Sequence, residues 1–367
     1  MKKIYILICV LATVSLSAQR REPLDVTIDF ESYDPPSTLV VPEHLITKAK
    51  FPFIDIHSHH WRLSEMDLDE LIDGMDAMNM KIVVNLSGRG GERLLNMKKN
   101  IEKYGYQDRI INFTNIELRS ITEPDWAAET VKQLEFDVKE GDARGLKIFK
   151  SQGMSHRDSL GNRIKINDPR IAPIWDKCGE LGIPILIHSA DPNQFWEPHD
   201  SLNERWLELK LRPNRKRSPD DPAPWETLIA EQHDMFKNHP NTTFIAAHMG
   251  WYANDLDKLE ELLEEIPNMH VEIGAVIAEL GRQPRYAKKF LTKYQDRVLF
   301  GKDSYKPEEF PTYFRVLESD DEYFPYYKRY HAFWKMYGLD LSDEVLQKLY
   351  YKNALKLVPG LDASMWE

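Results

Sequence analysis

A chain of 367 residues, 42% of them apolar and 29% charged, has room for one large barrel or two medium domains and is too rich in core-forming side chains to be disordered. The formal net charge of −11 argues against general nucleic-acid binding, because an acidic surface repels polyanions, while leaving room for a local basic pocket.

In chain order, Lys2 and Lys3 form a charged start, Ile4 through Leu16 an apolar stretch, and Ser17-Ala18 a small-residue cleavage region. Residues 1–18 therefore read as a secretory signal peptide, which predicts a mature chain beginning near Gln19 and a periplasmic or secreted location. The apolar stretch falls short of the roughly 20 residues that cross a bilayer, and no other segment comes close, so no stable membrane span is expected. Cys9 lies inside that stretch; after cleavage Cys178 stands alone and no intrachain disulfide can form. Residues 19–50, with Pro23, Pro35, Pro36 and Pro42, read as an extended lead-in.

Eight short apolar runs follow: Phe51-Pro-Phe-Ile-Asp-Ile, Lys81-Ile-Val-Val-Asn-Leu, Ile110-Ile-Asn-Phe-Thr-Asn-Ile, Gly145-Leu-Lys-Ile-Phe, Pro184-Ile-Leu-Ile-His, Thr243-Phe-Ile-Ala-Ala-His, Met269-His-Val-Glu-Ile-Gly and Arg297-Val-Leu-Phe-Gly. Such runs suit buried parallel strands. The stretches between them carry helical periodicity, as at Leu256, Leu259, Leu262 and Leu263. Eightfold strand–helix alternation over about 250 residues predicts an α/β fold of the (β/α)₈ barrel type, with a doubly wound open sheet as runner-up. No strand is followed by Gly-x-Gly-x-x-Gly, and Gly88-Arg-Gly-Gly91 has the wrong spacing for a dinucleotide loop. Residues 305–367 read as a helical extension, making 51–367 one barrel domain.

Asp55-Ile-His57-Ser-His59 closes the first run, and two His at i and i+2 on a strand share a face. The fifth, sixth and eighth runs also end in potential ligands, His188, His248 and Asp303, and strand C-termini converge at a barrel mouth. Satisfied core histidines are the competing explanation, strongest for His248 taken alone.

These residues resemble the amidohydrolase superfamily, in particular its branch of decarboxylases and small lactonases. The resemblance runs from about Phe51 to Pro359 and includes Tyr350-Tyr-Lys-Asn353-Ala-Leu-Lys. It implies His57, His59, His188 and Asp303 as ligands of a divalent metal, with His248 and Asp303 as catalytic groups. Zinc is the expected ion, since His-rich sites suit it, with manganese as alternative. Some superfamily members hold two ions bridged by a carboxylated lysine after the fourth strand. Lys147 and Lys150 lie where that residue would, although binding of a substrate anion or capping of the barrel is the favoured role for them.

The long excursion from Asp191 to Glu231 places Trp196 and His199 among the expected substrate contacts, with Arg212, Arg215 and Arg217 further along it. Arg282, next to Glu279 after the seventh run, is another candidate contact, set against a structural ion pair. The expected partner is an anionic small molecule or oligosaccharide; a homo-oligomer is compatible with the sequence. The leading expectation is a hydrolase of a lactone, amide or ester bond in a small carboxylated or sugar-derived substrate. A lyase, either a non-oxidative decarboxylase or a dehydratase acting on a uronic-acid-like or aromatic acid, is the alternative.

Overall fold

The computed structural model describes residues 25–366, so the signal peptide expected at 1–18 lies outside the described residues. Residues up to Val40 form one unit and Val41 onward another. Within residues 25–40 the only regular feature is a turn in which the Asp29 carbonyl accepts from Ser32 and Tyr33.

In the larger unit every expected apolar run contains a strand: β1 (Phe53–Ser58), β2 (Met80–Asn85), β3 (Ile110–Asn112, resumed at Thr114–Asn115), β4 (Leu146–Ile148), β5 (Ile185–Ile187), β6 (Phe244–Ala246), β7 (Met269–Glu272) and β8 (Val298–Leu299). Consecutive strands pair in parallel. Phe113 N donates to Asn85 O across the break in β3, and Ile56 N to Phe300 O brings β8 against β1, so the sheet closes into a (β/α)₈ barrel.

Period-two alternation sorts the strand residues. Ile54, Ile56, Ile82, Val84, Ile111, Leu186, Ile245 and Leu299 belong to one apolar cluster, the barrel interior. Their neighbours Phe53, Val83, Ile110, Ile185, Ile187, Phe244 and Val271 belong to the larger cluster shared with the surrounding helices. These helices are α1 (Leu68–Ala77), α2 (Glu92–Tyr104), α3 (Trp126–Lys139), α4 (Ala172–Leu181), α5 (Trp225–Asn238), α6 (Leu256–Glu265) and α7 (Pro284–Lys293). Leu256, Leu259, Leu262 and Leu263 are the buried face of α6, as their spacing predicts.

The structure departs from the sequence reading at both ends. The boundary falls at Val40–Val41 rather than at residue 50 because the last part of the lead-in is tied down: His44 N donates to Asp321, Lys50 N to Glu318, and Ala49 is buried. The C-terminal region is not helical throughout. Helix α8 (Phe310–Glu318) and a helical run over 343–357 flank an antiparallel ribbon, Phe324–Pro325 against Lys335–Met336. The segment 323–337 is aromatic-rich and lacks helical periodicity, and Pro325 withholds a backbone donor. Ala354 and Val358 join the interior cluster, so the chain end packs against the barrel core.

Candidate metal centre

All eight strands point their C-terminal ends at one mouth, where the backbone is strained. Ala190, His248, Met249, Trp251, Ala275 and Asp303, all in the loops that follow the last four strands, have left-handed φ, a conformation non-glycine residues adopt at a cost. The register of β1 against β2 shifts between Asp55 and Ser58. Past that irregularity His57 meets Lys147 of β4 and Glu272 of β7 although it is out of phase with Ile54 and Ile56.

Donor atoms of His57, His59 and Asp303 lie within 4.8 Å of one another. His57 Nε2 stands 3.2 Å from Asp303 Oδ1 and His59 Nε2 3.7 Å from the same oxygen. Ligands about 2 Å from a common ion are separated by roughly 3–3.5 Å, so the spacing fits. Hydrogen bonds behind the rings orient them. His57 Nδ1 donates to Glu272 Oε1 at 2.9 Å, and His59 Nδ1 is 2.7 Å from Ser87 Oγ.

His188 lies outside that group but next to it. His248 Nδ1 donates to the Gly274 carbonyl at 2.7 Å, which leaves His248 Nε2 as an acceptor; His188 Nδ1, 3.2 Å away, is then its donor. This assignment turns His188 Nε2 into a lone pair, and that atom is buried with no hydrogen-bond partner. An orphaned imidazole lone pair beside a His–His–Asp group is what an ion ligand looks like before the ion is considered. His57, His59 and Asp303 fit a divalent metal, and His188, beside them with a free lone pair, is the candidate fourth ligand.

Charges agree with that use. Burial, reinforced by His57 and Lys147, pulls His59 down to about 2, and burial takes His188 well below its usual range, so both are neutral as ligands must be. Burial would raise the Asp303 carboxyl, but hydrogen bonding and charge from His57, with His248 and His59 adding, hold it well below the usual carboxylate range. Burial likewise opposes ionisation of Glu272, yet His57 and His248 bring it down to about 2. Lys147, fully buried, is lowered by desolvation to about 8; its Nζ is 3.5 Å from His57 Nε2. The second donor group, His57 with His248 and Glu272, is already hydrogen-bonded internally: Glu272 Oε1 accepts from His57 Nδ1 and from the His248 backbone. It supports the first group.

A cavity of about 150 Å³ opens on this centre, lined by His188, His248 and Asp303 on the floor and by Lys150, Arg215 and Lys328 above. Lys150 thus lines the cavity, whereas Lys147 lies at the metal centre beneath. The excursion contributes Asp191, Pro192, Phe195, Glu208 and Arg215.

Other expected contacts are not brought to the cavity. A 3-10 turn at Asn193–Phe195 turns Phe195 inward and Trp196 away, and the Trp196 indole donates to Ala223 O. His199 is exposed, with Nε2 2.9 Å from the Trp206 carbonyl. Arg282 pairs with Glu204 at 2.9 Å and stacks over Trp334, lining a smaller cavity with Glu279. Glu279 itself is held by Arg205, so the expected Glu279–Arg282 pair is split between two partners.

Glu272 and the Lys328–His331 segment went unrecognised in the sequence. The signal for Glu272 was present: a carboxylate inside an otherwise buried strand needs a partner. Nothing local marks Lys328, since its position depends on the ribbon that carries it.

Fold and site together define a (β/α)₈ enzyme of the metal-dependent kind. The amidohydrolase family profile, Amidohydro_2, matches residues 118–360, and the chain belongs to that family. The matched stretch contains His188, His248 and Asp303. No curated protein matches the chain.

Solved structures do match. A 2,6-dihydroxybenzoate decarboxylase complexed with 2,6-dihydroxybenzoate is 13% identical, with 84% of this chain and 99% of that one covered and a TM-score of 0.51. A dihydroxybenzoic acid decarboxylase from Polaromonas sp. JS666, with bound manganese and the inhibitor 2-nitroresorcinol, is 12% identical over 84% and 96%, with a TM-score of 0.52. The 4-oxalomesaconate hydratase from Rhodopseudomonas palustris is 18% identical over 85% and 97%, with a TM-score of 0.50. At these identities the likeness is one of fold. The family and the donor set support a divalent metal, and no helix among the described residues is long and apolar enough to cross a membrane.

Proposed function

We propose that the chain is a zinc-dependent hydrolase that opens a lactone, ester or amide bond in a small carboxylated substrate. The observation that carries this reading is Asp303: one oxygen faces His57 and His59, while the side chain remains 39% exposed and borders the cavity. A bound ion would polarise the substrate carbonyl and acidify water to a pKa of about 7. Asp303, held ionised, then accepts the attacking water's proton and delivers it to the leaving group. His248 borders the same cavity with Nδ1 fixed on Gly274 and Nε2 accepting from His188, so a proton taken up in the reaction goes to Nε2, and only the protonated ring donates to developing negative charge. Three imidazoles with one carboxylate suit zinc.

Hydrolysis in ¹⁸O-labelled water should place one label in the product. Carbon dioxide release or an unsaturated product without label would establish instead the lyase reading, which is favoured by the decarboxylase and hydratase among the solved structures. His248→Asn, chosen because asparagine tolerates φ of 58°, should lower turnover at least about a hundredfold with metal content retained. Metal loss in parallel with activity would make His248 only a support for His188.

We also propose export from the cytosol, on the strength of Lys2-Lys3, the apolar stretch and Ser17-Ala18. N-terminal sequencing of the periplasmic or secreted protein should begin near Gln19; an intact Met1 on cytosolic protein would contradict it.

A further inference from the structure

Three carboxylates around the cavity are each held by at least two cations, one bordering the cavity and one behind, with Lys306 a third at Glu309. Asp191 is bound by Lys150 at 2.5 Å and from behind by Arg217 at 3.0 Å. Glu208 is bound by Arg215 and, at 3.2 Å, by Arg205. Glu309 is bound by Lys328 at 3.0 Å and by Lys302 at 2.5 Å. The carboxylates are buried, whereas Lys150, Arg215 and Lys328 keep 37%, 43% and 26% of their side chains exposed. They come from three different parts of the chain: the segment after β4, the excursion after β5, and the ribbon after α8.

A carboxylate shared between two cations neutralises neither. Even with Glu279, which also pairs with Arg205, counted as ionised, cations outnumber carboxylates in this ring. In a protein of net charge −11, the cavity lining sets Lys150, Arg215 and Lys328 against Asp191, Glu208 and Asp303, and the positive excess comes from Arg205, Arg217 and Lys302 behind those carboxylates. A structural ion-pair network would need only one cation per carboxylate. The second set, facing the cavity, is left with unspent attraction for an anion, strengthened where water is partly excluded.

We propose that the substrate is a small dicarboxylate, or a higher carboxylate: one anionic or carbonyl group addresses the metal centre, and a second carboxylate seats among Lys150, Arg215 and Lys328. The proposal rests on the cavity being the substrate site of the proposed enzyme. It does not depend on which bond is broken.

The probes are glutarate and glutaramate, isosteric acids that differ by one charge, titrated calorimetrically into the metal-loaded protein. Glutarate should bind about tenfold or more tightly than glutaramate. In Lys328→Gln and Arg215→Gln that ratio should fall to within about twofold, with metal content unchanged. Lys328→Arg and Arg215→Lys, which keep charge and fold, should preserve it. Equal affinities in the wild type, no binding of glutarate at millimolar concentration, or a ratio unaffected in both glutamine variants would each overturn the proposal. The titration involves no turnover, so the charge ratio can hold while ¹⁸O incorporation fails, and the reverse.

Discussion

Asp303→Asn should lower turnover by about 10³- to 10⁴-fold while leaving the fold intact, because this one carboxylate is placed to act both as a ligand and as the proton carrier. Its Oδ1 is 3.2 Å from His57 Nε2 and 3.7 Å from His59 Nε2. With His57 Nδ1 committed to Glu272, Nε2 of a neutral ring is a lone pair facing a carboxylate oxygen. Two acceptors at that distance repel unless a cation stands between them. A proton serves when no metal is bound, and the carboxylates of Glu272 and Asp303, overcoming burial and Lys147, accordingly raise the affinity of His57 for it. Asparagine preserves the volume and one oxygen but removes the charge, so both the attraction for the ion and the proton acceptor are lost. Metal content by emission spectrometry, turnover on a screened substrate and the melting temperature separate the effects. Turnover within tenfold of wild type would remove Asp303 from the chemistry.

Much of this site was legible from residue spacing. The alternation of apolar runs predicts the barrel because parallel strands buried on both faces must be apolar along their length. A polar residue ending such a run is then conspicuous, as His57, His188, His248 and Asp303 are. The cavity roof was not legible in the same way. Trp196 and Phe195 are adjacent in the excursion, and which of them faces inward depends on a single 3-10 turn that composition does not signal. Arg282 and Glu279 are three apart, Glu279 in the short helix Ile277–Gly281 and Arg282 capping it, and read as a pair, yet each is drawn to a closer partner from the excursion. Lys328 reaches the cavity through a ribbon whose two strands are two residues each, too short for periodicity to reveal. The barrel floor is encoded locally, strand by strand; the roof arises from contacts between segments distant in sequence.

Glu272→Gln should weaken metal binding about ten- to a hundredfold, although Glu272 is not among the proposed ligands. Its carboxylate is fully buried and accepts three hydrogen bonds: Oε1 from His57 Nδ1 at 2.9 Å and from His248 N at 2.7 Å, and Oε2 from Gly274 N at 2.5 Å. It therefore sets the tautomer of a ligand and the position of the histidine beside it. Space for the carboxylate is made by two glycines: a Cβ at Gly301 would lie 2.4 Å from Oε2 and one at Gly274 2.7 Å. A glutamine in this slot has one oxygen for donors on both sides. If the oxygen keeps His57 and His248, the amide group is pressed against the Gly274 N–H; if it turns, two donors face His57 and His248. In either orientation a buried donor is left unsatisfied, at about 1–3 kcal/mol of folding stability. Urea unfolding of the metal-free protein reads that loss, and competition with a fluorescent chelator reads the affinity. A variant with wild-type affinity would mean that His57 is oriented by packing alone and that the Glu272–His57 contact is incidental to the metal centre.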